Sequence, residues 1–292
     1  MKKKVIVCAA AAMLLCLATG VYGNSALQLT RTDVGGASLP AAFEGFKIMH
    51  LSDLHNMRFG KNNARLLRLI REQAPDIIAI TGDSIDRHRP HPETAIRFLR
   101  EAVKIAPCYY VPGNHEAGMA PADYAALEQT YRDMGVTVLR DQYVLLSRGE
   151  AQIALAGIDD PYFVSDNSLL SADGAEVARV KIRALELPEH TFTVLLSHRP
   201  EIFDVYAELG LNLVLSGHAH GGQVRLPLIG GLIAPHQGLF PQYDAGLFTE
   251  GKTEMYVSRG LGNSVLPLRI NDRPEAALLR LTGGTKEGIN HG

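Results

Sequence analysis

Three observations on the sequence predict an α/β fold. Short apolar runs alternate with segments whose apolar residues recur at helical spacing, as in chains that alternate strands and helices. Several of the runs are continuously apolar, which is typical of strands buried on both faces of a sheet. Polar side chains with nitrogen or oxygen donors directly follow five of these runs, so the strand ends carry the most distinctive chemistry of the chain.

The first half of the chain is predicted to fold as three strand–helix units. Strands are expected at residues 47–51, 77–81 and 109–111. Helices are expected at residues 62–73, 93–105 and 122–134. Each helix has apolar residues three or four positions apart, and Pro75, Pro107 and Gly135 mark the helix ends.

The second half begins with short strands and then returns to the same alternation. Strands are expected at residues 136–139, 143–146, 152–156, 191–196, 211–215, 254–258, 267–270 and 276–281. Helices are expected near residues 175–185 and 201–209. Neither a repeat of fixed period nor a linker interrupts residues 41–283, so one domain is predicted there.

The first 23 residues differ in composition from the rest. Three lysines precede an apolar run over residues 5–22, which is the pattern of a signal peptide or of an N-terminal membrane anchor. The run is long for a signal peptide and short for a membrane span, so both interpretations stay open. In either case the lysines stay inside and the rest is exported. The protein would then be anchored in the membrane facing outside the cytoplasm, or secreted or periplasmic if the leader is cleaved.

Composition limits the remaining segments and the partners. Residues 24–40 are polar and small, so we expect a tether there, and a disordered tail is expected over residues 284–292. Cys108 is the single cysteine of the predicted domain, which leaves no internal disulfide or thiolate metal site, and its apolar surroundings predict a buried strand residue. A net charge of −2 and the lack of a basic tract interleaved with aromatic residues argue against a nucleic-acid partner. The oligomeric state is left open.

Carboxylates and a histidine follow the first two strands. Asp53 and His55 are two positions apart, and in extended backbone such a pair points to one side. Asp83 follows Gly82, which permits a tight turn, and its carboxylate can bridge two cations. The Asp-x-His pair alone is a weak signal, since a loop histidine can also serve as a local hydrogen-bonding group.

The third strand is followed by Asn114, His115 and Glu116. Asn114 offers a neutral carbonyl oxygen as a ligand, and the adjacent His115 is free to act on a substrate. The preceding Pro112-Gly113 is also turn chemistry in its own right, so this segment is informative mainly together with the others.

Three histidines follow two later strands. His198 follows one strand, and His218 and His220 follow the next, again two positions apart. One such histidine would usually be a hydrogen-bonded core residue. Three of them, downstream of the acidic segments, indicate metal ligands. Imidazole and oxygen donors suit manganese, iron and zinc, so we predict a site for two divalent metal ions.

These five segments resemble the calcineurin-like metallophosphoesterase superfamily, whose pattern is Asp-x-His, Gly-Asp-x-x-Asp, Gly-Asn-His-Asp/Glu, His and Gly-His-x-His. Every block is matched in order over about residues 46–220. Residues 51–55, 217–223 and 258–262 also resemble its membrane-associated bacterial branch, the YkuE/YaeI-type phosphodiesterases. The resemblance implies a four-layer αββα sandwich with mixed sheets.

The resemblance also implies a role for each residue. One metal ion would be held by Asp53, His55, Asp83 and His220. The other would be held by Asp83, Asn114, His198 and His218, with Asp83 as the bridge. His115 would approach the scissile phosphate as a proton donor or charge stabiliser, and Asn114 would present its amide to a phosphate oxygen. Two further carboxylates are expected in support: Glu116, where Asp is commoner in the family, to orient His115, and Asp86 to orient ligands.

The expected activity is hydrolysis of a phosphodiester or pyrophosphate bond by a hydroxide that bridges the two metals. We expect the substrate to be lipid-linked or derived from the cell envelope. A phosphomonoesterase is the nearest alternative. A binding protein that recognises a phosphorylated ligand without turnover is a second alternative, and a nuclease is disfavoured by the charge of the chain.

The segment over residues 224–239 is apolar, rich in glycine and proline, and fits neither a helix nor a regular strand. It is interpreted either as a buried hairpin on the sheet or as a loop at the rim of the site that touches acyl chains or a bilayer. The first interpretation is favoured because apolar runs are usually core. Arg225 and Arg259 are candidates for phosphate binding, or else are solvated surface charges.

Overall fold

The computed structural model describes residue 20 and residues 23–164, 172–263 and 268–284. In chain order the strands are β1 (Gln28–Gly35), β2 (Lys47–Leu51), β3 (Ile77–Thr81), β4 (Cys108–Val111), β5 (Thr137–Val138), β6 (Gln142–Arg148), β7 (Ala151–Gly157), β8 (Thr193–Leu196), β9 (Leu213–Ser216), β10 (Arg225–Leu226), β11 (Gly230–Gly231), β12 (Ile233–Ala234), β13 (Gly238–Leu239), β14 (Gly246–Glu250), β15 (Thr253–Val257) and β16 (Glu275–Thr282). The helices are α1 (Ala64–Gln73), α2 (Pro92–Ala102), α3 (Asn114–Ala117), α4 (Pro121–Asp133), α5 (Ala172–Ala184) and α6 (Phe203–Glu208). Single turns of 3-10 helix lie at Ala41–Phe43, Lys61–Asn63, Pro161–Phe163, Pro200–Ile202 and His220–Gly222.

Two six-stranded mixed sheets form the centre of the fold. The first has the order β1-β16-β2-β3-β4-β5, and the second has the order β14-β15-β9-β8-β7-β6. Strands β2 to β5 are parallel to one another, as are β7, β8, β9 and β15. Antiparallel pairs join β16 to β2 in the first sheet, and β14 to β15 and β6 to β7 in the second.

Three separate hydrophobic clusters show that the sheets and helices form four layers. One cluster lies between the sheets and includes Ile48 of the first sheet and Leu155 of the second. Another packs the first sheet on α1, α2 and α4, and the third packs the second sheet on α5 and α6. The expected αββα sandwich with mixed sheets is therefore confirmed.

The helices bury the faces that their spacing predicts. Helix α1 buries Leu66, Leu67 and Ile70 and ends at Ala74, which takes a left-handed conformation before Pro75. Helix α2 begins with Pro92, whose fixed φ suits a first turn, and buries Phe98 and other apolar residues. Cys108 lies in β4 and is 1% exposed, as expected for a buried strand residue.

Two expectations change at the edges of the fold. The tether predicted over residues 24–40 is wrong for Gln28–Gly35, which form β1 and pair in parallel with β16 along eight positions. Polar and small residues are compatible with an edge strand, which has one solvated side. Of the strand predicted at residues 267–270, residue 267 lies outside the described residues, and Ile270 forms only an isolated bridge to Val224. The tail from residue 285 also lies outside them.

The segment after the last predicted ligands forms two very short hairpins, β10–β11 and β12–β13. Its large apolar side chains at positions 228, 229, 233, 239 and 240 are exposed, so the favoured interpretation of a buried hairpin is wrong. The leader over residues 1–22 is outside the described part apart from Gly20. Among the residues that the structure describes, no helix combines the length and apolar character needed to cross a membrane.

Candidate metal centre

The predicted ligands meet at the carboxyl ends of five parallel strands. The segments after β2, β3 and β4 come from the first sheet, and those after β8 and β9 come from the second. In open α/β sheets this edge is where ligands bind, because the loops there converge while the strands stay fixed. All seven predicted ligands except Asn114 are buried side chains, and Asn114 is partly exposed.

The backbone at these residues is not extended, contrary to the prediction for the two i, i+2 pairs. Positive φ angles of 41° to 66° are found at Asp53, His55, Asp83, His218 and His220. This left-handed region is disfavoured for residues other than glycine and is found mainly where function requires it. Each pair therefore converges because of tight turns after the strand, and the side-chain alternation of a strand is not the cause.

Gly217 shows why these turns need glycine. A Cβ atom at this position would lie 1.9 Å from Ser52 Oγ and 2.4 Å from Asp53 Oδ2. The backbone of the loop after β9 therefore lies directly against side chains of the loop after β2. A side chain at position 217 would not fit between the two loops.

The first cluster consists of Asp53, His55 and His220. His55 Nε2 lies 3.2 Å from His220 Nε2 and 3.7 Å from Asp53 Oδ1, and His220 Nε2 lies 3.4 Å from the same oxygen. Three donor atoms thus point at one small volume.

The second cluster consists of Asn114, His198 and His218 beside Asp83. His198 Nε2 lies 3.2 Å from Asn114 Oδ1, 3.1 Å from His218 Nδ1 and 3.2 Å from Asp83 Oδ2. The ring nitrogens and the amide oxygen again converge.

Asp83 lies between the two clusters. Its Oδ2 atom is 3.5 Å from His55 Nε2 of the first cluster and 3.2 Å from His198 Nε2 of the second. Its other oxygen, Oδ1, accepts a hydrogen bond from the backbone N–H of His115 at 2.8 Å. One carboxylate oxygen is therefore shared by both clusters, while the other is held by the protein backbone.

The donor atoms fit two divalent cations. Ligands about 2.1 Å from a common ion lie about 3.0 to 3.4 Å apart in octahedral or tetrahedral geometry, and the separations found here are close to that range. His198 Nδ1 donates to the Thr81 carbonyl at 2.7 Å and His220 Nδ1 donates to the Gly262 carbonyl at 3.2 Å. These bonds fix the tautomer that leaves Nε2 of each ring free to bind a metal.

The electrostatics of the cluster also favour a cation. Burial by itself would lower the pKa of His198, but the carboxylates of Asp83 and Asp53 raise it to about 10. Burial opposes ionisation of Asp83, yet His198 and His115 hold its pKa well below the usual range. The two buried carboxylates thus attract positive charge, which a bound metal ion would supply in place of a proton.

His115 lies at the border of the two clusters. One donor atom of its ring lies within 4.8 Å of donor atoms of His55 and Asp83. Its Nδ1 accepts a hydrogen bond from the backbone N–H of Arg87 at 3.1 Å, so the neutral ring carries its proton on Nε2. Burial lowers the pKa of His115 to about 4, more than Asp83 raises it.

Glu116 has a different position from the predicted one. Its carboxylate accepts hydrogen bonds from the backbone N–H groups of Asp83, Ser84 and Gly113 at 2.8 to 2.9 Å, and from Ser84 Oγ at 2.7 Å. These contacts tie the loop after β3 to the loop after β4. It is Asp86 that lies near His115, with Oδ1 3.6 Å from Nδ1.

Two buried arginines near the centre were not identified from the sequence. Arg199 forms a two-pronged ion pair with Asp160 at 2.6 and 2.9 Å, and its Nη1 lies 3.2 Å from His218 Nε2. Arg269 donates to the Gly262 carbonyl at 2.6 Å, which is the carbonyl that orients His220. Arg199 directly follows the predicted ligand His198, and this position could have identified it from the sequence. Arg269 lies 49 positions from His220, so nothing in the sequence connects it with the centre.

The two arginines considered for phosphate binding are engaged elsewhere. Arg225 donates to Asp244 at 2.8 Å and to the Gly221 carbonyl at 2.9 Å. Arg259 lies 3.5 Å from Asp272 and lines a cleft between the outer edges of the two sheets, together with Thr30 and Leu247.

Comparison with known proteins identifies a family and several relatives. The sequence model of the family described as calcineurin-like phosphoesterase matches residues 46–222. The uncharacterized metallophosphoesterase YkuE of Bacillus subtilis (strain 168) is 32% identical over 87% of this chain and 85% of its own length. The phosphodiesterase YaeI of Escherichia coli (strain K12) is 30% identical over 81% of this chain and 82% of its own. Among solved structures, the phosphopantetheinyl hydrolase PptH from Mycobacterium tuberculosis matches with a TM-score of 0.49 and 14% identity, covering 86% of this chain and 99% of that one.

Proposed function

Because this chain belongs to the calcineurin-like phosphoesterase family and is a phosphoric ester hydrolase, we propose that its strand-end centre cleaves a phosphodiester or pyrophosphate bond. The observation that carries the proposal is the pair of donor clusters sharing Asp83 Oδ2. The likeness to a protein named a phosphodiesterase supports the choice of a diester over a monoester.

Each cluster would hold one divalent ion, manganese, iron or zinc. Asp53, His55 and His220 would hold one, Asn114, His198 and His218 would hold the other, and Asp83 would bind both. When bound, two such ions acidify a water nucleophile and offset the charge that develops on the phosphoryl oxygens. The protein itself fixes the ligands in advance through backbone carbonyls and through Glu116.

His115 would act on the substrate. The Arg87 N–H group occupies Nδ1, so the neutral ring presents Nε2–H as a hydrogen-bond donor. Burial lowers the pKa of His115 and keeps its ring neutral, so it would donate a hydrogen bond to a phosphoryl oxygen and stabilise the charge that develops there.

The substrate class and the location of the protein are proposed on independent grounds. The exposed apolar hairpins next to the centre support a lipid-linked or cell-envelope substrate. The lysines and the apolar run of the leader support export with attachment to the membrane, the catalytic domain facing outside the cytoplasm.

Turnover of two chromogenic esters tests the reaction class. The full-length protein, purified in detergent, would be stripped of metal and reconstituted separately with manganese, iron or zinc. We expect hydrolysis of bis-p-nitrophenyl phosphate to exceed that of p-nitrophenyl phosphate. The reverse preference would indicate a phosphomonoesterase, and two bound metals without turnover of either ester would favour a binding protein.

His115→Gln tests the role of this ring as a charge stabiliser. Metal content should be retained, and turnover should fall by about 10²- to 10³-fold, the usual cost of removing one donor that stabilises charge in the transition state. His88→Gln is the matched control, since His88 is an exposed neighbour whose ring centroid lies 5.8 Å from that of His115. Equal activity of the two variants would refute the role given to His115.

A further inference from the structure

The two hairpins after the last ligands expose a group of large apolar side chains. These are 41% to 106% exposed, and we refer to them as the rim patch: Leu228, Ile229, Ile233, Leu239 and Phe240. The run from residue 226 to residue 243 contains no Asp, Glu, Lys or Arg, although charged residues make up 21% of the chain. A group of large exposed apolar side chains of this kind marks an interaction surface more often than a surface that faces only water.

Backbone hydrogen bonds join the two hairpins at Leu232. Leu232 N–H donates to the Val224 carbonyl at 2.8 Å, and Phe240 N–H donates to the Leu232 carbonyl at 2.9 Å. The two hairpins therefore lie side by side. Asp244 secures the first of them, since its Oδ2 accepts from Gly231 N–H and from the Arg225 guanidinium.

Two members of the patch combine exposure with an unfavourable backbone conformation. Leu228 has φ 68° and Phe240 has φ 55°, in the left-handed region where a side chain is disfavoured. Leu228 is fully exposed and Phe240 is 58% exposed, so burial offsets the unfavourable conformation not at all at Leu228 and only in part at Phe240. A glycine or asparagine would suit either turn better, so the apolar side chains serve something outside the described fold.

The patch is attached to the metal centre. His236, at the turn of the second hairpin, stacks on the ring of His218 with centroids 5.2 Å apart and planes 15° apart. Whatever covers the patch is therefore held beside the entrance to the centre.

The chain enters the described fold next to the same hairpins. A Cβ atom on Gly20 would lie 2.4 Å from Leu268 Cδ1, and Asn24 Oδ1 accepts from the Arg269 N–H at 2.9 Å. The next residue, Ile270, bridges to Val224, directly before the first hairpin. Gly20 thus lies against Leu268, itself 42% exposed, two positions before the residue that bridges to the first hairpin.

We propose that the rim patch inserts into the interfacial region of a lipid bilayer. The run over residues 226–243 carries no Asp, Glu, Lys or Arg, so it can enter this region without the cost of desolvating such a charge, and the leader, retained as an anchor, would hold the chain at the same bilayer. The centre then faces the membrane surface, where a phosphate ester on a lipid is presented. This places the proposed activity at a membrane, but the bilayer contact itself does not depend on turnover.

The absence of tryptophan from the chain allows a direct test. Phe240→Trp introduces a single fluorophore in the patch, and Leu145→Trp introduces one at an exposed apolar position on β6, at the far edge of the second sheet. Both full-length variants would be reconstituted into phosphatidylcholine vesicles, with and without bromine on the acyl chains. Hydrolysis of bis-p-nitrophenyl phosphate in detergent would be measured in parallel.

We expect the emission of Phe240→Trp to shift to the blue in vesicles and to be quenched by brominated chains, whereas Leu145→Trp shows neither change. The proposal is overturned if both tryptophans behave alike on vesicle-bound protein, or if the full chain does not float with vesicles. Blue-shifted emission without lipid that grows with protein concentration would also overturn it, because a second copy would then cover the patch. Quenching without turnover would support the bilayer contact and count against the proposed hydrolysis alone.

Discussion

At the scale of single residues, the centre depends on strained backbone at its ligands. Five of the seven predicted ligands have left-handed φ angles, each disfavoured by about 1–2 kcal/mol. Hydrogen bonds from neighbouring loops hold them, such as His55 N–H to the Asp83 carbonyl at 3.0 Å and Gly262 N–H to the Asp53 carbonyl at 2.6 Å. The strain is therefore absorbed by the surrounding loops, which keeps the ligands in place before any metal arrives.

The shared oxygen of Asp83 leads to a prediction about metal content. Asp83→Asn removes the one charged ligand common to both clusters, so we expect the loss of both ions. Asp53 Oδ1 lies 3.4 Å from His220 Nε2 of the first cluster and 4.0 Å from His198 Nε2 of the second, so we expect Asp53→Asn to lose mainly one ion. Elemental analysis of the purified proteins gives the metal-to-protein ratio directly. Equal losses in the two variants would contradict the bridging position of Asp83.

At the scale of elements, the centre is assembled by joining loops that follow different strands. Glu116 connects the loop after β3 to the start of α3, with Ser84 Oγ also bonded to Tyr131 of α4 at 2.9 Å. A carboxylate suits this buried place, because both of its oxygens accept hydrogen bonds from N–H groups. An amide would place its NH₂ group, itself a donor, against some of those N–H donors. The geometry of Asp83 and Asn114 therefore depends on a residue that binds no metal.

Glu116→Gln should lower the free energy of unfolding by about 3 kcal/mol, because charge-assisted hydrogen bonds are lost in a buried place. Urea unfolding of metal-free protein measures this loss. Glu176→Gln is the control, since Glu176 forms an exposed pair with Arg179 and should change stability by about 0.5 kcal/mol or less. Similar losses in both variants would show that Glu116 does not hold the two loops together.

At the scale of the whole molecule, the two sheets pack face to face with a histidine between them. His50 of β2 is fully buried, its Nε2 lies 2.8 Å from Thr81 Oγ1, and its ring meets the Tyr256 ring of β15 edge-on at 6.0 Å. Burial lowers the pKa of His50 to about 3, although the charge of Asp53 opposes the shift. The folded protein thus keeps this histidine neutral where the unfolded chain would protonate it.

This difference predicts loss of stability in acid. The folded-state pKa is depressed, so the stabilisation is complete above the unfolded value of 6.5 and is lost as the pH falls toward 3. Between pH 7 and pH 5 the contribution of His50 should fall by about 2 kcal/mol. His50→Gln cannot titrate, so its unfolding free energy, measured in urea with a chelator, should change less over the same interval. An equal change in the two proteins would refute the assignment to His50.

The sequence by itself determined the fold class, the order of most strands and helices, and the residues that gather at the strand ends. These follow from local information, because apolar periodicity fixes which face is buried and a short motif fixes which side chain follows a strand. The segments containing Asp53, Asn114 and His218 were identifiable for that reason. Strand β1 was missed because a polar edge strand has no apolar run to mark it.

Only the tertiary structure decided how the ligands are held and what surrounds them. The contacts of Glu116, Arg199 with Asp160, and Arg269 with Gly262 join residues from separate loops. The left-handed turns at the ligands and the exposure of the rim patch likewise depend on which loops meet across the two sheets. Contacts of this kind leave no periodic signal in the sequence, because they are set by the packing of elements that lie far apart along the chain.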